Sequence, residues 1–85
     1  MNGRKIVTFV VESFLIFVMV KKVKAVIAAL EKDGWIHART KGDHRVFIKT
    51  GAARPIPVPG GLNDDLAVGT LKSILRQSGL KEEDI

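Results

Sequence analysis

Three prolines at alternate positions, Pro55, Pro57 and Pro59, with Ile56 and Val58 between them, restrict this chain more than any other stretch. Each lacks a backbone N–H, so a strand built on the run is missing ladder donors and belongs only at the edge of a sheet. Before it lie two segments with strand character, Trp35–Thr40 and Arg45–Thr50, the second carrying Val46, Phe47 and Ile48 with their strong β preference. The turn Lys41-Gly42-Asp43-His44 joins them, and Gly42 supplies the backbone freedom that a tight turn needs. A turn at Lys41–Asp43 places Arg39 and Arg45 near one another across the ladder. A second turn, Thr50 to Arg54, leads to the proline strand.

Helical patterns flank the strands. Val23, Val26, Ile27 and Leu30 recur at three- and four-residue steps, with Lys21, Lys22, Lys24, Glu31 and Lys32 at the other positions. This predicts a helix over about Val20 to Asp33, ended by Gly34. A second helix is predicted over Val68 to Ser78, with Leu71, Ile74 and Leu75 on one face and Gly79 at its end. Thr70 or Asp65 is placed to cap its start, Gly60 to Asp65 is a loop, and Lys81 to Ile85 forms a polar tail or a short final turn. The order helix, strand, strand, strand, helix lets both helices cover one face of an antiparallel sheet. The fold class is two-layer α+β, α-β-β-β-α, laid out like the double-stranded-RNA-binding domain.

At 85 residues the chain holds one small domain with an economical core. Residues 20–85 carry that domain, and residues 1–19 form an apolar N-terminal extension. Its run Ile6 to Val20 is too short for a membrane span and holds Glu12 near the middle. No small-residue cleavage site follows it, so it does not read as a signal peptide, and no membrane partner is expected. Either it is a structural extension, helix or strand, or Met19 is the natural start and the residues before it are translated upstream sequence. The chain has no cysteine, which excludes disulfides, thiolate chemistry and cysteine-based zinc sites and fits a cytoplasmic setting. Two histidines are too few for a histidine metal site, and Asp64-Asp65 is no magnesium cluster, so neither metal nor cofactor is expected. A formal charge of +5 favours a polyanion, an acidic protein surface or an anionic membrane as partner.

His44 is the candidate catalytic group. An imidazole among cations suits proton transfer on a phosphodiester, and Arg39, Lys41 and Arg45 stand closest in sequence. The other reading of the same stretch is a charged hairpin tip with an idle histidine. Lys49, Arg54, Lys72 and Arg76 are surface cations, a subset of which would line an RNA path. His37, between Ile36 and Ala38, reads as an ordinary strand histidine, and Trp35 as a core residue.

Four pieces taken together, Leu30-Glu-Lys-Asp-Gly-Trp35, Arg39-Thr-Lys-Gly-Asp-His44, Ile56-Pro-Val-Pro59 and Gly69-Thr-Leu-Lys-Ser-Ile-Leu-Arg-Gln-Ser-Gly-Leu80, resemble the HicA toxins of bacterial HicA–HicB toxin–antitoxin pairs. The resemblance covers about Val20 to the C-terminus. It implies a metal-independent endoribonuclease that cleaves mRNA, with His44 at the family's active histidine, and a HicB-type antitoxin as protein partner. Three positions depart from the family pattern. Asp43 stands where a serine is usual, Arg45 where a second histidine often follows, and Pro59-Gly60 where a further histidine frequently occurs. Asp43 either supports an imidazolium or repels a phosphate, and the sequence leaves both open. A non-catalytic RNA-binding module on the same fold is the alternative reading. A protein-interaction or membrane-associated domain using the apolar Ile6–Phe17 run is a third.

Overall fold

The computed structural model describes residues 20–85, and the expectations for residues 1–19 lie outside them. Helix α1 (Val23–Lys32) is followed by strands β1 (Ile36–Lys41), β2 (His44–Ile48) and β3 (Ile56–Pro59), then helix α2 (Val68–Ser78) and a short 3-10 turn (Glu82–Asp84). The strands form one antiparallel sheet in the order β1-β2-β3. This is the α-β-β-β-α domain that the order of patterns predicts. β3 is one of the two edge strands, and its prolines at 57 and 59 alternate with Ile56 and Val58, both fully buried. Alternate residues share one side of a strand, so the missing donors all fall on the same side.

The core lies between one sheet face and the two helices. Val23, Val26, Ile27 and Leu30 of α1 meet Trp35, Phe47, Ile56 and Val58 of the sheet region, with Leu66, Leu71 and Ile74 closing the other end. Leu80 and Ile85 pack against this cluster, which explains why the tail ends in a turn rather than drifting away. Each fully buried aliphatic or aromatic side chain contributes about 1.5–3 kcal/mol.

α1 starts later than its sequence pattern predicts. Lys21 and Lys22 are good helix formers, but Lys22 is extended (φ −72°, ψ 146°) and forms an isolated bridge with Asp65. Its Nζ also lies 2.9 Å from Asp65 Oδ1. The first N–H groups of the helix are met by loop carbonyls rather than by a side chain. Val23 N–H donates to Asp64 O at 2.9 Å and Lys24 N–H to Leu62 O at 3.0 Å. Asp65 is therefore used in the bridge and does not cap α2, whose N-cap is Ala67 with no side-chain cap bond; Thr70 lies inside the helix. Tertiary pairing has overridden local propensity at both helix starts.

The end of α1 follows the sequence closely. Gly34 adopts φ +97°, Gly34 N–H donates to Glu31 O at 3.0 Å, and Trp35 N–H donates to Leu30 O at 2.9 Å. That pair of bonds is a Schellman motif, with Leu30 and Trp35 both buried in the core cluster. Trp35 is thus a core residue that ends the helix, and β1 begins one residue later, at Ile36. Its Nε1 donates to Asp33 Oδ2 at 3.2 Å.

Candidate functional site

The hairpin between β1 and β2 closes on two residues, Gly42 and Asp43, with Lys41 paired directly to His44. Gly42 has φ +62° and Asp43 does not have positive φ, the pattern of a type II′ turn with glycine first. A two-residue turn shifts the register by one from the turn over Lys41–Asp43. Arg39 then opposes Val46, and Arg45 opposes Thr40. Side chains alternate between faces, so this one-residue shift puts Arg39 and Arg45 on opposite sides of the sheet instead of side by side.

Each site candidate can now be assigned to a face. Phe47, Ile56 and Val58 define the side covered by helices. His44 is three residues from Phe47 along a regular strand and so lies on the other, open side. Pairing adds Lys41, Arg39, Val46, Pro57 and Pro59 to that open face. Lys41 and Arg39, two residues apart, are separated by about 7 Å of strand. Val46 is buried although it faces away from the core, flanked across the ladder by Arg39 and Pro57. Two cations and one imidazole therefore share a surface at the open end of the hairpin.

The remaining cations are placed elsewhere. Arg45 lies on the helix side, and its Nη1 donates to Gly60 O at 2.9 Å, fastening β2 to the loop after β3. Lys49 Nζ is 3.1 Å from Asp33 Oδ2, the oxygen that also accepts from Trp35, so this lysine ties the sheet to the end of α1. Arg54 is exposed in the connection before Pro55, and Lys72 and Arg76 are exposed on α2. His37 pairs with Phe47 on the face opposite His44. Its ring is 5.5 Å from the Phe47 ring and its Nε2 is 3.0 Å from Thr40 Oγ1, a strand histidine with local partners.

His44 itself is held by its neighbour. Nδ1 lies 2.7 Å from Asp43 Oδ1, so the ring donates Nδ1–H to the carboxylate and leaves Nε2 as the uncommitted nitrogen. The His44 side chain is 47% exposed, open enough for a polymer to reach. Among the described residues no three His, Cys, Asp or Glu side chains gather in a way that would hold a metal ion. Nor is any helix of the described residues long and apolar enough to cross a membrane.

His44 also lines a groove that the sequence pattern does not single out. Its walls are Pro57 and Pro59 on one side and Gly69, Thr70, Ser73 and Gln77 of α2 on the other, with the buried Ile74 between. The signal for it lay in α2, where Thr70, Ser73 and Gln77 recur at three and four residues and form a polar stripe beside the apolar one.

Among curated proteins, no sequence matches the chain. A family model does match, described as the HicA toxin of bacterial toxin–antitoxin systems, over residues 23–80. The match begins at the first residue of α1, ends just past α2, and so spans the whole helix–sheet–helix unit and more than half of the chain. The chain belongs to the HicA family, toxins of bacterial toxin–antitoxin systems.

Proposed function

We propose that the protein is an endoribonuclease that cleaves mRNA without a metal ion, with His44 as general acid–base, and that a HicB-type antitoxin restrains it. The observation that carries this reading is the open-face cluster of His44, Lys41 and Arg39, with Asp43 holding Nδ1 so that Nε2 is left uncommitted. RNA brings its own nucleophile, the ribose 2′-hydroxyl. His44 Nε2 takes the 2′-hydroxyl proton as the 2′ oxygen bonds to phosphorus. The bond from phosphorus to the 5′ oxygen breaks, and that oxygen takes a proton from solvent. A 2′,3′-cyclic phosphate and a 5′-hydroxyl end result.

Charge accumulates on the phosphate oxygens during this step, and Lys41 and Arg39 are the cations on the same face to offset it. Proton transfer by one side chain supplies about 10²–10⁴-fold in rate, a modest share of the acceleration that efficient enzymes achieve. A slow ribonuclease is the expected result.

The test is cleavage of a defined RNA in EDTA by the protein and by a His44→Ala copy. A loss of about 10²–10⁴-fold in the variant, with unchanged folding by circular dichroism, is expected. Equal cleavage by both removes His44 from the chemistry. Salt-sensitive RNA binding with no cleavage by either protein would instead establish the non-catalytic RNA-binding module.

A further inference from the structure

The groove between α2 and the edge of β3 includes His44 in its lining and is an open cleft of about 330 Å³. Pockets for small ligands begin at about 300 Å³ and combine apolar walls with a few fixed polar groups. This groove has that composition at the size of a single nucleoside. Pro57 and Pro59 give it a rigid apolar wall, and Thr70, Ser73 and Gln77 give the opposite wall its hydrogen-bonding groups.

Two of the polar groups are paired with each other. Gln77 Nε2 donates to Ser73 Oγ at 2.8 Å, one turn apart along α2. The Ser73 hydroxyl, having accepted that bond, keeps its own hydrogen as a donor. Gln77 keeps its carbonyl oxygen as an acceptor and a second N–H as a donor. A donor beside an acceptor is what the edge of a nucleobase presents in turn, and side-chain amides pair with such edges in two bonds. Single-stranded RNA is read in this way, with a base turned out of its stack and bonded along its edge.

We propose that this groove is the pocket for the nucleobase adjoining the scissile phosphate, with Pro57 and Pro59 as its apolar wall and Ser73 and Gln77 reading the base edge. The inference rests on the ribonuclease reading of His44. A base seated here brings its own ribose to the imidazole, so the groove selects which 2′-hydroxyl meets the general base. Cut-site preference would then reside in α2, away from the hairpin that carries the chemistry.

Gly69 supplies the decisive variant. It lies in the first turn of α2, lines the groove, has no positive φ, and a Cβ added there meets nothing within 4 Å. Leucine at this position improves helix propensity and has open space around its Cβ, so Gly69→Leu sets a large apolar side chain beside the groove without harming the fold. Two readings of the full chain decide the matter. The first is cleavage rate and cut-site distribution on an RNA of mixed sequence, for the wild type, Gly69→Leu, Gln77→Ala and His44→Ala. The second is NMR titration with the four ribonucleoside 3′-monophosphates, following residues 69–77.

The expected result is at least a tenfold loss of cleavage and of nucleotide binding in Gly69→Leu, with a melting temperature no lower than wild type. Gln77→Ala is expected to cut with an altered base preference. Wild-type cleavage and cut sites in both α2 variants, beside an inert His44→Ala, would overturn the groove and leave the ribonuclease reading standing. Undiminished cleavage by His44→Ala would remove that reading instead, and the nucleotide titration would still judge the groove. Loss of antitoxin binding by Gly69→Leu with unchanged cleavage and nucleotide binding would assign the groove to the protein partner and overturn the proposal.

Discussion

Asp43 accepts one hydrogen bond, from His44 Nδ1 at 2.7 Å, and its own side chain is 77% exposed. The bond fixes which ring nitrogen carries the proton and which is left uncommitted. Where partners of this kind orient metal-bound imidazoles, their loss costs about 10–100-fold. Asp43 is fully open to water on one side, so the lower end of that range applies. Asp43→Ala is expected to lower kcat by about 10-fold with little change in KM. Asp43→Asn, which offers an amide N–H as well as a carbonyl, is expected to shift the ring toward the opposite tautomer, visible in the imidazole ¹⁵N shifts. Unaltered ¹⁵N shifts and kcat in both variants would leave Asp43 with no positioning role. The open question in the sequence was whether this carboxylate helps the histidine or repels phosphate. The 2.7 Å contact puts the carboxylate against the ring, and the kcat of Asp43→Ala decides between the two.

At the level of elements, the glycine that ends α1 deserves a measurement of its own. Gly34 sits at φ +97° in the Schellman motif, and an added Cβ there approaches Lys49 Cε at 3.6 Å, which is ordinary contact. The cost of Gly34→Ala is therefore conformational rather than steric, about 1–2 kcal/mol, to be read from urea unfolding. A stability equal to wild type would show that the helix end relaxes freely. This glycine was legible in the sequence, as were the α1 and α2 stripes and the edge position of β3, because each follows from a property of the residue itself. Proline lacks a donor wherever it stands, and glycine alone accepts positive φ cheaply. The start of α1 was not legible, because Lys22 is drawn out of the helix by Asp65, a residue far along the chain. The separation of Arg39 from Arg45 was hidden for another reason. It depends on whether the turn takes two residues or three, and the sequence Lys-Gly-Asp-His is compatible with both.

For the molecule as a whole, a net charge of +5 does not say where an anion binds, but the partners of each cation do. Arg45 and Lys49 are engaged within the fold, by Gly60 O and Asp33, whereas Arg39 and Lys41 share the open face with His44. Each phosphate contact on single-stranded RNA contributes about 0.7 to the slope of log affinity against log salt. Arg39→Ala and Lys41→Ala are each expected to flatten that slope by about 0.7, and Lys49→Ala to leave it unchanged. A loss of slope in Lys49→Ala equal to the other two would show that charge acts without regard to face. Lys49 and Asp33 are each about one-third exposed, so breaking their pair costs at most about 1 kcal/mol and does not confuse the comparison.

The carbonyls that complete α1 have a consequence for the making of the protein. The Val23 and Lys24 N–H groups donate to the carbonyls of Asp64 and Leu62, about forty residues later in the chain. A nascent chain emerges from the ribosome N-terminus first, so the hairpin with His44 is outside well before the loop that finishes the first helix. The helix bearing Ser73 and Gln77 comes later still. A message cut short before that point yields a fragment with the imidazole but without a closed domain, and the cell meets an assembled toxin domain only after α2 has been translated.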